Sequence, residues 1–359
     1  MRKDRKYDVL VVGGGPTGCA IALALARRGV RVALFDAKRP YRRAIETASP
    51  KVNSLLEIIG VSGDFRRQGH APAVGIVSAW GTNLPFCNDF IYEPHCNGWH
   101  VDRTLFDLML MKRAGAAGCN VFCESRVVEC RSHETGVWSC RYIYRGRAYS
   151  CSGRFAVDAT GRIGSSALAH LSRRVVTDGM IGVSWSAKSA RNDPYALIES
   201  VEDGWFYSAV LPDLTTIIVY STDSDIYRAQ SRKIPDFGFR QLEKAPLTRS
   251  RIVDMNASVP RIFSAATIFR TKVAGENWLV AGDAALSLDP LSGQGLCSAL
   301  EMAHRASTTI RAYLDGTDLL KEYSEWIQNR VNLDFLASRH YYSMERRWPS
   351  SRFWARRRF

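Results

Sequence analysis

A carboxylate, a glycine-containing loop and a helix-like run follow one another closely over residues 278–300. The apolar run that opens this stretch ends in Gly282 and Asp283. The loop after it holds Pro290, Gly293, Gln294 and Gly295. Glycines let a backbone come close to a flat group, and the N–H groups that begin a helix favour negative charge. The stretch therefore predicts a bound dinucleotide whose redox ring lies beside the loop.

A second glycine-rich turn lies near the start of the chain. A buried strand over residues 7–12 runs into the turn GGGPTG at 13–18, and an Ala- and Leu-rich helix follows over 19–28. A second buried strand over 31–35 completes a βαβ unit. A strand, a glycine turn, a helix and a strand in this order predict a dinucleotide-binding fold.

The glycines of this turn are placed as a dinucleotide site requires. Gly13 permits the tight turn, Gly15 lets the backbone approach a pyrophosphate, and Gly18 lets helix and strand pack closely. Asp36 lies 18 residues past Gly18, at the end of the second strand. A carboxylate at that place accepts both hydroxyls of an adenosine ribose and disfavours a 2′-phosphate.

An arginine at the start of a helix points to the same ligand. Asp102 is a good N-cap residue for a helix over 103–113, which places Arg103 in the first helical turn. A cation is electrostatically unfavourable there, so we expect Arg103 to face an anion.

Two further segments could contribute to the site. A third buried strand over 155–158 ends in Asp158, and Gly161 follows shortly after it. Arg43 belongs to a basic loop just past the adenosine carboxylate. The Arg43 loop contacts either the pyrophosphate or solvent.

Three side chains are candidates for catalysis, each with a structural alternative. Asp289 could act as a base for a ring N–H or O–H, or cap the loop. Trp205 could orient an aromatic substrate, or be a core residue of a strand. His100 could line the site, or be a buried structural histidine. With Cys87, His95 and Cys96 it fits no standard zinc spacing, and we expect no metal.

The hydrophobic pattern predicts an α/β fold with a discontinuous domain arrangement. Residues 1–72, 99–178 and 264–318 are expected to form a Rossmann-like nucleotide domain. Residues 73–98 and 179–263, largely of period two, predict an antiparallel-sheet substrate domain. Residues 319–359 predict a C-terminal helix followed by a basic tail.

Charge and cysteine content limit the possible partners. The net charge of +14 is concentrated at the ends, with +3 over residues 2–6 and +6 over 339–359, where seven arginines face Glu345. A basic tail is either solvated or docks an acidic partner. Nine cysteines without a Cys-x-x-Cys pair indicate reduced thiols and a cytoplasmic protein. We expect no nucleic-acid partner and, without a long apolar run, no membrane span.

Four motifs together resemble one protein superfamily. They are GGGPTG with Asp36, HVDR at 100–103, VDATGR at 157–162 and AGDAALSLDPLSGQG at 281–295. In this order they resemble the FAD-dependent monooxygenases, a superfamily that includes aromatic hydroxylases and tryptophan halogenases. The resemblance implies FAD as cofactor and a glutathione-reductase-like fold of the aromatic-hydroxylase type.

The resemblance also implies which residues hold the cofactor. Asp36 would bind the adenosine ribose, Arg103 would reach the pyrophosphate side, and Asp283 would bind the ribityl chain or pyrophosphate. The loop from Pro290 to Gly295 would cover the flavin ring. The full predicted set is Gly13, Gly15, Pro16, Thr17, Gly18, Asp36, Ala37, Arg43, Arg103, Val127, Asp158, Ala159, Gly161, Gly282, Asp283, Pro290, Gly293, Gln294 and Gly295.

The chain departs from the halogenases at two positions. Halogenases carry a lysine shortly after a Glu-x-x-x-Pro pattern. Here Glu46 and Pro50 fit the pattern, but the lysine region holds Asn53 and Ser54. They also carry a glutamate after the Pro-Leu of the flavin loop, where this chain has Ser292. Both departures favour oxygen insertion over halogenation.

Two segments resemble a smaller group within the superfamily. These are GWFY at 204–207 and the ending ERRWPSSRFWARR. They resemble flavoproteins that modify a tryptophan of precursor proteins to make cysteine tryptophylquinone in amino-acid oxidases and amine dehydrogenases. The resemblance implies a protein substrate, such as a quinone-cofactor oxidase precursor.

The expected function is hydroxylation of an aromatic ring with molecular oxygen. Electrons would come from NAD(P)H or from a separate flavin reductase, since no second nucleotide-binding βαβ unit is visible. Two alternatives stay open. One is an oxidoreductase or halogenase-like enzyme that acts on a small natural-product intermediate. The other is a non-catalytic, flavin-binding maturation factor.

Overall fold

The computed structural model describes residues 5–37, 44–232, 237–254 and 259–358. Arg43 and most of the basic loop around it lie outside the described residues, as do Arg2 and Lys3 near the start of the chain.

The strands belong to four sheets. In chain order they are β1 Arg5–Val12, β2 Val32–Phe35, β3 Ile45–Ala48, β4 Ala71–Ala73, β5 Gly75–Ala79, β6 Phe86–Asp89, β7 Gly98–Asp102, β8 Asn120–Phe122, β9 Ser125–Ser132, β10 Trp138–Tyr144, β11 Arg147–Asp158, β12 Arg174–Val176, β13 Met180–Ser189, β14 Tyr195–Val201, β15 Gly204–Val210, β16 Thr215–Asp223, β17 Ile252–Asp254, β18 Arg261–Ser264, β19 Ile268–Arg270, β20 Ala274–Gly275, β21 Trp278–Val280 and β22 Leu286–Ser287.

The α-helices differ widely in length, and the two longest come late in the chain. They are α1 Pro16–Ala26, α2 Lys51–Ile59, α3 Ser62–Arg66, α4 Arg103–Ala116, α5 Ser224–Ser231, α6 Phe237–Leu242, α7 Pro246–Ser250, α8 Gly295–Leu314, α9 Leu320–Met344 and α10 Arg352–Ala355. Short 3₁₀ turns precede α8 at Gly282–Ala284 and Pro290–Ser292.

The first sheet is built around parallel strands. Its main order is β20-β21-β11-β1-β2-β8, and β10 and β9 extend it from β11. The strands β21, β11, β1, β2 and β8 pair in parallel. Strands covered on both faces need continuous apolar sequence, and Val9 to Val11 are fully buried. Helices α1, α4 and α8 pack together on this sheet.

The second large sheet is mostly antiparallel. Its order is β17-β13-β16-β15-β14-β5-β6, and β18 pairs with β13. The strand β5 comes from the segment before α4 and pairs in parallel with β14, so two distant parts of the chain share one sheet. The fold is therefore α/β, a Rossmann-like domain with an antiparallel-sheet domain and a C-terminal helix, as predicted.

The C-terminal segment, residues 345–358, folds back onto the antiparallel sheet. Phe353 and Trp354 are completely buried, and the indole N–H of Trp354 donates to the Val201 carbonyl at 3.0 Å. Arg356 and Arg357 form ion pairs with Asp223 at the end of β16, at 2.8 and 2.6 Å. The tail is therefore packed on the sheet by its aromatic residues, while Arg346, Arg352 and Arg356 stay exposed, and docking of an acidic partner stays a prediction.

No helix within the described ranges is both long and apolar enough to cross a membrane.

Candidate functional site

Four parallel strands end at the same level, and the predicted motifs begin there. Val12 pairs with Phe35 on one side and with Asp158 on the other, and Asp158 pairs with Val280. The residues that follow these strand ends include Gly13, Asp36, Ala159 and Gly282. The carboxyl ends of parallel strands are where such folds bind ligands, so the structure brings three of the four motifs to one edge.

Gly13, Gly14 and Gly18 of the first turn are packed too tightly for any side chain. A Cβ atom on Gly18 would lie 1.9 Å from the Gly13 carbonyl oxygen, and Gly13 itself has a φ of +115°. Gly15 caps α1, and Pro16 begins the helix, where a missing N–H costs nothing. A Cβ on Gly282 would lie 2.3 Å from the Thr17 hydroxyl oxygen. The first and last motifs are therefore in direct contact.

The predicted adenosine end of the edge is formed by Asp36 and the start of β9. Asp36 is buried, and its carbonyl accepts the N–H of Ser125 at 2.8 Å. Val127, two residues further along, is buried in the core behind it. Ala37 is exposed. These positions suit a nucleotide that lies across the strand ends.

Asp158 stabilises the turn next to the site. Its carboxylate is completely buried, accepts the Thr160 N–H at 3.0 Å, and pairs with Arg270 at 3.1 Å. Ala159 donates its N–H to the Val12 carbonyl at 2.8 Å, and Gly161 then turns with a φ of +71°. The Asp158 side chain is thus fully used within the protein, and a direct contact with the cofactor stays a prediction.

Asp283 and the loop after it offer accessible surface. The Asp283 side chain is 40% exposed and lies 3.8 Å from the Arg162 guanidinium. Pro290, Gly293 and Gln294 are exposed, and Gly293 takes a left-handed φ of +59°. An accessible carboxylate can bind the hydroxyls of a ribityl chain, and an open loop leaves room for a flat ring.

Asp289, at the beginning of the loop, is buried. Its Oδ1 accepts the Leu291 N–H at 2.9 Å and the Tyr342 hydroxyl at 3.2 Å. Burial raises the pKa of Asp289 to about 6. Asp289 caps the short turn at Pro290, which is the structural alternative for this residue, while its pKa lies in the range of a general base.

Trp205 lies behind Tyr342 in an aromatic cluster. It is 2% exposed, and its indole N–H donates to the Tyr342 hydroxyl at 3.3 Å. Met180, Phe353 and Trp354 are buried in the same cluster, and Leu291 of the loop packs against it. The structure gives Trp205 a packing role, and its contact with a substrate stays a prediction.

His100 is part of a buried chain of neutral hydrogen bonds. Its Nε2 lies 3.2 Å from the Pro194 carbonyl and must donate, so Nδ1 accepts from the Thr47 hydroxyl at 2.8 Å. The Tyr207 hydroxyl in turn donates to Thr47 at 2.5 Å. Desolvation lowers the pKa of His100 to about 4, so the imidazole is neutral at neutral pH. His100 has a structural role here, as the alternative reading of this residue proposed.

Arg103 faces anions, as its place in the first turn of α4 predicted. These anions are carboxylates of the protein itself. It forms ion pairs with Glu46 at 2.6 Å and with Asp107, one turn along α4, at 3.1 Å. The other oxygen of Glu46 accepts the Leu296 N–H, at the start of α8, at 2.6 Å. The sequence analysis noted Glu46 only as part of the halogenase pattern and missed its contact with the start of α8.

The positions that distinguish halogenases have structural roles. Asn53 donates to the carbonyls of Pro50 and Asn97 and accepts from the Trp99 indole, so its side chain bridges α2 and β7. Ser292 accepts the Gln294 N–H at 3.3 Å within the loop. Lys51 pairs with Glu301 at 3.0 Å.

The site fits FAD by the shape and chemistry of its residues. The glycine turn and the strand ends leave a backbone-lined edge, Asp36 and Asp283 supply carboxylates at its two ends, and an exposed loop leads into α8. Within the described residues, no group of three or more His, Cys, Asp or Glu side chains could hold a metal ion.

Comparisons with known proteins identify the family. The sequence profile of the FAD binding domain family matches residues 6–332. The chain is 24% identical to a putative FAD-dependent oxidoreductase, LodB, of Marinomonas mediterranea, over 98% of this chain and 96% of that protein. The chain therefore belongs to the FAD binding domain family, with FAD as its cofactor.

Two solved structures show the same fold. The myxobacterial chondrochloren halogenase CndH superposes with a TM-score of 0.88 at 22% identity, over 99% of this chain and 86% of that one. The peptidyl tryptophan dihydroxylase QhpG, essential for tryptophylquinone cofactor biogenesis, superposes with a TM-score of 0.78 at 25% identity, over 98% and 78%. The predicted superfamily is confirmed, and the chain is a flavoenzyme of the kind that includes oxidoreductases and halogenases.

Proposed function

We propose that this protein is an FAD-dependent monooxygenase that hydroxylates an aromatic ring, and that the ring is a tryptophan side chain of a partner protein. The observation that carries the proposal is the chemistry of the halogenase positions. Activation of a hypohalous acid needs a cation close to the acid. Asn53 stands where a lysine would, with its amide committed to three partners, and Ser292 stands where the loop glutamate would.

The bound cofactor supplies the redox chemistry. When bound, reduced FAD would supply the two electrons with which one atom of O₂ is inserted into a ring C–H bond as a hydroxyl while the other, with two protons, becomes water. The protein has to bind the cofactor, keep water from the ring and hold the substrate. The aromatic cluster behind Asp289 keeps one side of the loop dry, since Trp205 and Tyr342 are almost completely buried.

In this proposal the side chain that moves a proton is Asp289. With a pKa of about 6 it is mostly ionised at neutral pH, and it can take a proton over a range near neutrality. Tyr342 donates to the same oxygen atom, so the carboxyl is held in one orientation. In this proposal Asp289 accepts the proton that the ring releases as it is hydroxylated.

Two features support a protein as substrate. The loop is accessible at Pro290, Gly293 and Gln294, while aromatic side chains fill the space behind it. An aromatic ring carried on the surface of another protein could approach such a loop. The similarity to a peptidyl tryptophan dihydroxylase extends over 98% of the chain, which supports the same class of substrate.

The test is a reconstituted reaction with labelled oxygen. The protein, FAD, NADH and a flavin reductase are incubated under ¹⁸O₂ with the unmodified precursor of a quinone-cofactor oxidase and, in parallel, with free L-tryptophan. We expect ¹⁸O in a tryptophan of the precursor, located by peptide mass spectrometry, and none in the free amino acid. Conversion of free tryptophan would contradict the protein substrate. A halogenated product in the presence of bromide would contradict hydroxylation.

A cofactor-free variant separates catalysis from assistance in folding. Gly18→Ala places a methyl group against the Gly13 carbonyl and should abolish FAD binding. Gly63→Ala is the matched control, because the nearest atom to its new Cβ would be 3.7 Å away. If the Gly18 variant still supported maturation of the partner, the protein would be a maturation factor and not a hydroxylase.

A further inference from the structure

One carboxylate connects the flavin loop to α4. Glu46 lies in β3, and its two oxygens have different partners: one accepts the Leu296 N–H at 2.6 Å and the other meets Arg103 at 2.6 Å. The carboxylate is so close to the helix that a Cβ atom on Gly295 would lie 2.6 Å from it. Glu46 therefore occupies the start of α8 from the side of β3.

The Leu296 N–H that donates to Glu46 belongs to the first turn of α8, where such donors are few. The first turn of a helix presents N–H groups with no acceptor inside the helix, together with the positive end of the helix dipole. A bound flavin whose ring lies on this loop would draw on the same donors. While Glu46 holds the Leu296 N–H, that donor is less available to the ring.

The charge of the groups around Glu46 also disfavours an anionic ligand. Glu46, Asp107 and Arg103, the cation that pairs with both, carry a net charge of −1 together. FAD is an anion through its pyrophosphate, and the reduced ring gains a second anionic site when it loses a proton. A negative charge near the loop disfavours binding of the pyrophosphate and disfavours the deprotonated form of the reduced ring. Partial burial reduces the screening of this charge by salt.

We propose that Glu46 is a positioning residue that competes with the flavin for the start of α8, weakening FAD binding and disfavouring the anionic form of the reduced flavin. Glu46 and the ring would draw on the same Leu296 N–H, and the pair with Arg103 keeps the Glu46 carboxylate beside that donor. The inference rests on FAD as the cofactor of the family and is independent of the proposed hydroxylation.

The test compares Glu46→Gln with Glu57→Gln. Both substitutions remove one negative charge, but Glu57 is exposed on α2. FAD is titrated into each apoprotein, with tryptophan fluorescence as the readout. We expect Glu46→Gln to bind FAD about tenfold more tightly than wild type, a change of about 1.4 kcal/mol. Glu57→Gln should bind within about twofold of wild type, because solvent screens its charge.

A second measurement uses the reduced flavin itself. The absorption spectrum of the anaerobically reduced holoprotein is recorded against pH, which reports the loss of the ring proton. In Glu46→Gln the midpoint should move to lower pH, and the flavin reduction potential should become more positive. Thermal unfolding of both variants verifies the fold. Binding and midpoint equal to those of the Glu57 control, or weaker FAD binding in a stably folded Glu46→Gln protein, would overturn the proposal.

Discussion

The flavin loop is held by a carboxyl group at each end, and the two ends are built differently. At the start of α8, Glu46 is paired with a guanidinium and bound by a backbone N–H. At the beginning of the loop, Asp289 has a backbone N–H and a hydroxyl within hydrogen-bonding distance and is surrounded by aromatic side chains. Two carboxyl groups that contact the two ends of one loop can have different roles, and in the proposals above Glu46 positions the helix start while Asp289 takes up a proton.

The largest expected effect is at the α8 end. Arg103→Gln would leave Glu46 and Asp107 without their shared cation, in partly buried positions. Removing one member of such a pair leaves an uncompensated charge, and we expect a loss of about 3 to 4 kcal/mol in the free energy of unfolding. Urea denaturation measures it. Arg113→Gln, which breaks a more exposed pair with Asp64, is the control and should cost under about 1 kcal/mol. Equal losses of unfolding free energy in the two variants would show that the Arg103 ion pairs contribute no more to stability than the exposed Arg113 pair.

The titration of Asp289, at the other end of the loop, should change how the free energy of unfolding depends on pH. The pKa of Asp289 is raised from 3.8 to about 6, so the folded state binds this proton more strongly than the unfolded state. The contribution of Asp289 to stability therefore falls as pH rises between about 4 and 6, by on the order of 3 kcal/mol. Asp289→Asn lacks this fall. Between pH 4 and 7, its stability relative to wild type should rise by that amount in urea denaturation. Parallel pH profiles for the two proteins would show that Asp289 does not titrate in this range.

Removal of one hydroxyl tests the aromatic shell around Asp289. Tyr342→Phe takes a donor from Asp289 and an acceptor from the Trp205 indole, both buried. We expect a loss of about 1 to 2 kcal/mol and an upward shift of the pH midpoint attributed to Asp289. Tyr341→Phe, at an exposed neighbouring position, should leave both quantities unchanged. An unchanged pH midpoint in Tyr342→Phe would show that the Tyr342 hydroxyl does not affect the titration of Asp289.

The smallest effect is expected at the surface of α2. Lys51→Gln breaks an exposed ion pair with Glu301, which also pairs with Arg330. Such pairs contribute little, so we expect a change under about 0.5 kcal/mol and no change in product formation. Loss of turnover in this variant, measured with the labelled-oxygen reaction, would place Lys51 at the chemistry and revive the halogenase alternative.

The parallel core could be read from the sequence because its signals are local. Continuous apolar runs that end in Gly or Asp specify buried strands, and the spacing of Gly13, Gly15 and Gly18 specifies the turn between the first strand and helix. The predicted helix over 19–28 begins at Pro16 in the structure, since the glycine turn itself enters the helix. The superfamily resemblance and FAD follow from these same local motifs.

The contacts of the loop could not be read from the sequence because they join distant segments. Glu46 meets Leu296 across 250 residues, and Tyr342 meets Asp289 across 53. No periodicity encodes such pairs. The packing of the basic tail was missed for a similar reason: the sequence left it either solvated or docked to an acidic partner, whereas Arg357 is paired with a buried carboxylate of β16. Arg43 lies outside the described residues, and its contact with the cofactor stays a prediction.

The burial of Trp354 has a consequence for how the protein is made. Its indole donates to Val201, 153 residues earlier in the sequence. On a ribosome, β14 and β15 emerge long before their aromatic covering, and Trp205 stays uncovered until residues 345–358 have been synthesised. Contacts between such distant positions form slowly and leave apolar surface open to aggregation meanwhile. We expect nascent chains that stop before Trp354 to depend on chaperones, which ribosome profiling of chaperone-bound chains would detect.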